Sequence, residues 1–123
     1  MKTRALAITS LLTIALAVPA IAYAADQSGA EGRAKTVEVL SPSSDSYIQY
    51  HGRLIVRAQK RDTEYRWGGT SCGSKVLSDA QVDRLVEAVR DKDEVKILPL
   101  YQPGQGTNKC LVGFSLRFRE RKN

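Results

Sequence analysis

The chain is poor in the side chains that carry most enzymatic and metal chemistry. It holds one histidine, His51, and two cysteines, Cys72 and Cys110, in 123 residues. With no C-x-x-C spacing and no second cysteine pair, neither a tetrahedral zinc set nor a redox motif can be assembled, so no metal and no cofactor is expected. A glycine-rich phosphate loop is also missing. No two carboxylates stand isolated among apolar residues as a glycosidase pair would. Asp91, Asp93 and Glu94 form a short acidic run. No glycine follows them where a calcium loop requires one, and they read as solvated.

Long apolar runs are equally scarce. The one candidate, residues 5–18, is short for a membrane span, diluted by Ala and Thr, and followed by Pro19. Lys2 and Arg4 precede it, and Ala22, Tyr23 and Ala24 close it with small residues at the first and third positions. That is the pattern of a signal peptide over 1–24, cleaved after Ala24. The chain is therefore expected to be exported, periplasmic or extracellular, and soluble, with no membrane span in the mature part. With no cysteine near the cleavage point, a bacterial-type lipid anchor is not expected. Removing Lys2 and Arg4 from the 19 basic residues leaves 17 against 13 acidic ones, a net charge of +4. This is mildly basic. It lacks the dense Lys/Arg stripe with interleaved aromatics of a nucleic-acid binder, and no nucleic-acid partner is expected.

Both cysteines lie in the part of the chain that would enter an oxidising compartment, and an even count there reads as one disulfide, Cys72–Cys110. Closing a loop of about 39 residues stabilises a fold by up to about 4 kcal/mol in the chain-entropy account. For one domain of this size that is a large share of the total.

Residues 25–35, ADQSGAEGRAK, are small, polar and Gly-containing, and read as a flexible start to a single domain over 36–123. Short strands are expected in TVEVL, SYIQY, RLIVRAQ and TEYRW, with KRD as a charged turn between the last two. Ser78 and Gln81 form a capping box, flanked by Leu77 and Val82 as a hydrophobic staple. Val82, Leu85, Val86 and Val89 then recur at helical spacing, giving an amphipathic helix over about 78–91. EVKILPLYQ returns to strand, where Pro99 calls for an edge or a bulge. In CLVGFSLRFR, residues Cys110, Val112, Phe114, Leu116 and Phe118 alternate with Gly113, Ser115, Arg117 and Arg119. The order is β-β-β-β-α-β-β. It describes an α+β domain in which one helix packs on a mostly antiparallel sheet of four to six strands.

Gly69-Thr70-Ser71-Cys72-Gly73 spells G-x-S-x-G, the pattern of a hydrolase nucleophile turn. A triad built on Ser71 would have to use His51, which precedes it. The helix cap at Ser78 also leaves Ser71 several residues short of the helix N-terminus that would support an oxyanion. Gly68 and Gly69 read instead as the turn that swings Cys72 toward the last strand. Trp67, the only tryptophan, either covers the disulfide as a core residue or stands exposed as an anchor for a partner. His51 reads as a surface turn residue.

Two surfaces remain as candidates for binding a protein or cell-envelope partner. One is the loop over 101–109, with Tyr101, Gln102, Gln105, Asn108 and Lys109, tethered through Cys110 to the turn after Trp67. The other is the basic row Arg117, Arg119 and Arg121, which Arg53 and Arg57 would join if the third and last strands were close; it suits an anionic polymer or an acidic protein surface. The expectation is thus a non-enzymatic binding module, of inhibitor or immunity type. A small serine hydrolase using Ser71 and His51 and a polyanion-binding envelope protein are the alternatives.

Overall fold

The computed structural model describes residues 25–119. The expected leader over 1–24 and Arg121 of the basic row lie outside them. The elements run β1 (Gln27–Ser28), β2 (Arg33–Val39), a 3-10 turn (Asp45–Ile48), β3 (Gly52–Ala58), β4 (Arg61–Trp67), a one-turn helix α1 (Gly69–Cys72), α2 (Asp79–Arg90), β5 (Val95–Pro103) and β6 (Lys109–Phe118). The six strands form one mixed sheet in the order β1-β5-β6-β4-β3-β2. All neighbours are antiparallel except β4 and β6, which run parallel and share a single residue pair, Arg66 with Cys110.

Because β1 and β2 lie on opposite edges yet belong to one short stretch of chain, the sheet curls on itself. Gly32 pairs with Ile97 of β5, while the next residue, Arg33, pairs with Arg57 of β3. The barrel closes there and stays partly open between β4 and β6. The stretch 25–35, expected to be flexible, is thus the seam of the fold. Main-chain bonds hold it, from Gly29 N–H to Pro99 O at 2.8 Å and between Gly32 and Ile97 in both directions at 3.0 and 2.8 Å. Its small residues let the strand bend from one neighbour to the other, and Ala34 is buried.

Pro99 sits where this ladder lapses. β1 pairs with Leu100 and Tyr101, and pairing resumes only at Ile97. A proline has no N–H to offer that neighbour, so the interruption falls where the donor is missing. Beside it, a bulge shifts the register of β5 and β6 between Leu100 and Tyr101, and Val112 has no partner. The bulge breaks the expected alternation of the last strand. Leu111 is fully buried in the core, Phe114 and Leu116 pack against it, and Cys110 is buried outside that cluster.

Two other elements differ from the expected pattern. SYIQY forms the 3-10 turn rather than a strand, with Tyr47 N–H donating to Ser44 O and Gln49 N–H to Ser46 O, both at 3.0 Å. β2 already pairs directly with β3, so no neighbour is left for an extra strand. The hairpin between β3 and β4 turns at Gln59 and Lys60, both at positive φ (52° and 65°), while Arg61 and Asp62 join the strand. Such a two-residue mirror-image turn matches the twist of the strands it joins.

The helix is as expected, capped by Ser78 with the full capping box and packed on β2 and β5. Leu85 and Ala88 enter the core beside Leu54, Val56, Tyr65, Trp67 and Ile97. Val86 is exposed, because one step of about 100° from Leu85 carries it off the seam. Each large apolar side chain buried here contributes about 1.5–3 kcal/mol.

Candidate binding surfaces

Cys72 and Cys110 are bridged, with Cα atoms 5.6 Å apart. The bridge gathers three loops at one end of the barrel. Gly68 and Gly69 take positive φ (71° and 66°), which turns the chain out of β4 and into α1 within two residues. Ser71 N–H then donates to Gln49 O and Gln105 N–H to Ser71 O, both at 2.9 Å. Gly104 makes the contact possible: a Cβ there would lie 2.3 Å from Cys110 Sγ and 2.5 Å from Ser71 O.

The third loop is shorter than expected. β5 runs on to Pro103 and β6 starts at Lys109, leaving 104–108 as the connection. Asn108 folds it back on itself, its Nδ2 donating to Gln105 O and its carbonyl accepting from Gly104 N–H, both at 2.8 Å. Of the expected contact residues, Gln105 is exposed and Asn108 and Lys109 half-buried. Tyr101 belongs to β5 and packs against Tyr65, the ring centroids 5.6 Å apart, with Lys109 Nζ 5.4 Å from its centroid. Gln102 is bonded to Asp26 at 2.7 Å, along the seam. Trp67 is buried, 3% exposed, and is no anchor for a partner. Its position inside the barrel follows from alternation with Tyr65, which faces the same core.

Where β4 and β6 part company, a polar cavity of about 380 Å³ opens beside the loop end. Asp62, Glu64 and Arg66 of β4 form one wall, and Thr107, Asn108 and Lys109 the other. Behind it lies a circuit of side chains that no sequence pattern announced. Arg53 and Arg66 stand opposite each other across β3 and β4, an unfavourable like-charge pair. Glu64 bridges them, 3.6 Å from Arg53 and in contact with Arg66 Nε. Glu38 accepts from Arg53 at 3.4 Å and from Tyr50 Oη at 2.7 Å, and the Arg66 guanidinium covers the Tyr50 ring at 4.5 Å. The bond to Glu38 first, and burial second, push the Tyr50 hydroxyl above its usual range.

Ser71 is buried, and no hydrogen bond joins it to His51 among the described residues. The His51 ring stacks on Tyr47 with centroids 4.0 Å apart.

The basic row lies elsewhere, at the far end of β6. Nine residues of strand, roughly 30 Å, separate Cys110 from Arg119. β4 stands between β3 and β6, so Arg53 does not join Arg117 and Arg119. Their neighbours come round the closed side of the barrel instead. Arg33, Lys92 and Lys96 share with Arg117 and Arg119 a cavity of about 480 Å³, whose acidic residues are Asp93 and Glu94. Arg33 and Lys96 also line a second cavity, of about 450 Å³, with Arg57 and Lys60. Among the described residues no helix is long and apolar enough to cross a membrane. Compared with known proteins, the chain matches no family model, no curated protein and no solved structure.

Proposed function

We propose that this is an exported, disulfide-stabilised binding module without enzymatic activity, which acts by occupying a protein or cell-envelope partner, as an inhibitor or immunity-type protein does. The observation that carries this reading is the loop end. One covalent bridge and a relay of main-chain bonds hold residues 49–51, 69–72 and 104–108 as one body beside the polar cavity between β4 and β6. Loops fixed before binding lose little entropy on contact, which favours affinity for a partner of matching shape. Partly open five-stranded barrels bind oligosaccharides and oligonucleotides through loops and an adjoining strand face, which supports the same surface by analogy of architecture alone. Export rests on the leader pattern and on the cysteine pair.

The G-x-S-x-G turn favours binding over hydrolysis. A nucleophile there needs free backbone donors for the oxyanion, yet Ser71 N–H is used by Gln49 O and Cys72 N–H by Gly68 O, at 2.9 and 3.2 Å. Alanine at Asn108 and Lys109 tests the reading. The double variant should lose capture of its partner from a cell-envelope fraction while stability falls by no more than about 1 kcal/mol, the worth of the lost Asn108–Gln105 bond, whereas Arg84→Ala on the outer face of α2 should keep capture. Unchanged capture in the double variant rejects the loop end. Fluorophosphonate labelling that disappears in Ser71→Ala would restore the hydrolase.

A further inference from the structure

We infer that the groove at the far end of β6 is a second, separate binding site, for a linear anionic polysaccharide. Its two cavities adjoin, with Arg33 and Lys96 lining both. The groove therefore runs from Lys60 and Arg57 at the β3–β4 hairpin to Arg119 and Lys92 below the helix. Along it the sheet places like charges side by side: Lys96 pairs with Arg117 across β5 and β6, and Arg33 with Arg57 across β2 and β3. Like charges directly opposite destabilise a sheet. The carboxylates within reach offset this only partly. Arg33 meets Asp93 at 3.2 Å, Arg57 meets Asp62 at 3.4 Å and Arg117 contacts Glu31, with all three arginines more than half exposed, so these pairs are weak and solvent-screened. A concave, net-positive groove focuses potential on an anionic ligand.

Shape and one aromatic ring select among anions. Phe118 lines the larger cavity at the end of β6 and is 70% exposed; it pairs with Val95, so alternation sets its ring on the sheet face opposite Arg117. An exposed apolar ring at the rim of a cavity lined by cations suits a sugar ring bearing carboxylate or sulfate groups. A bilayer would have to reach cations that line recesses, whereas a single extended chain can lie along them. A nucleic acid would need more stacking surface than one exposed phenyl ring provides.

Titration of the oxidised protein with a heparin-derived octasaccharide tests the inference. Wild type should bind, and affinity should fall by about tenfold or more between about 50 and about 200 mM salt. Lys96→Gln with Arg119→Gln should weaken binding by at least about tenfold and lower the log–log salt slope by roughly one to two. Phe118→Ala should weaken binding several-fold while leaving the slope unchanged, which separates ring contact from charge; a circular-dichroism melt confirms that each variant is folded. Absence of octasaccharide binding overturns the proposal, as does affinity unchanged in the folded double variant. Tighter binding to phosphatidylglycerol vesicles or to a single-stranded oligonucleotide at matched charge overturns it too. Asn108→Ala with Lys109→Ala should leave this binding intact, so failure here and failure of the loop-end reading are told apart.

Discussion

Strand β6 begins at Lys109, beside Cys110 in a bundle of pinned loops, and finishes at Phe118 in an open, basic groove, and the two ends present surfaces of different character. At the first end a disulfide, close backbone approach at Gly104 and main-chain bonds between three loops fix the surface. None of these depends on ionic strength. At the other end the surface is shaped by exposed cations, with ion pairs that salt screens and that contribute at most about 1 kcal/mol each. One end is stiff and polar, suited to a partner with a fixed outline. The groove is open and charged, suited to a polymer that presents repeated anions.

The largest effect should come from cutting the bridge. Cys72→Ser with Cys110→Ser removes a cross-link over a separation of 38 residues, and a loss of about 2–4 kcal/mol in urea unfolding is expected. Because the bridge lies at one end only, the folded variant should lose partner capture at the loop end and keep octasaccharide binding at the groove. Simultaneous loss of both in a variant that still unfolds cooperatively would break the division between the ends. Thiol counting on the oxidised wild type should find no free cysteine.

Between the ends, Tyr50 and Tyr65 supply a test by pH. The hydrogen bond to Glu38 and then burial raise the native Tyr50 value, and burial followed by the neighbouring Tyr101 raises that of Tyr65. Below about pH 10, the ordinary tyrosine value, both hydroxyls stay protonated whether the chain is folded or not. Above it the unfolded chain releases protons that the native state retains, so stability falls as pH rises through the native values. Tyr50→Phe with Tyr65→Phe should flatten that decline, followed as the urea midpoint between about pH 9 and about pH 11. A decline of the same steepness in the double variant would assign alkaline sensitivity elsewhere.

What could be read from sequence follows the same division. The helix was legible because Ser78, Gln81 and the spacing of Val82, Leu85 and Val89 are local signals that agree with one another. The disulfide was legible because two cysteines allow one pairing. The seam at 27–34 was not, since its side chains are small and polar and its order comes from main-chain bonds to β5, more than sixty residues away. Without that seam Arg33 has no visible reason to stand near Lys96. Arg117 and Arg119 could therefore be picked out while their true neighbours could not. The Arg53–Glu64–Arg66 circuit needed the register of three strands, and Trp67 needed the barrel interior to choose between core and contact. The turn at Gln59 and Lys60 carried neither Gly nor Asn, the residues that usually announce positive φ.

The smallest expected effect is the one that bears most directly on why the groove exists. Lys96 faces Arg117 across β5 and β6, and relieving a like-charge pair of this kind stabilises by about 0.2–1 kcal/mol. Lys96→Gln should accordingly leave the melting temperature unchanged or raise it slightly at low salt, and the gain should vanish at about 1 M salt, where the Debye length shrinks to about 3 Å. The same substitution forms half of the variant expected to weaken octasaccharide binding. Gain of stability together with loss of binding is the signature of charge kept for a ligand at the expense of the fold. If Lys96→Gln instead lowers the melting temperature, the lysine serves the sheet, and the groove becomes an ordinary solvated face like the outer side of α2.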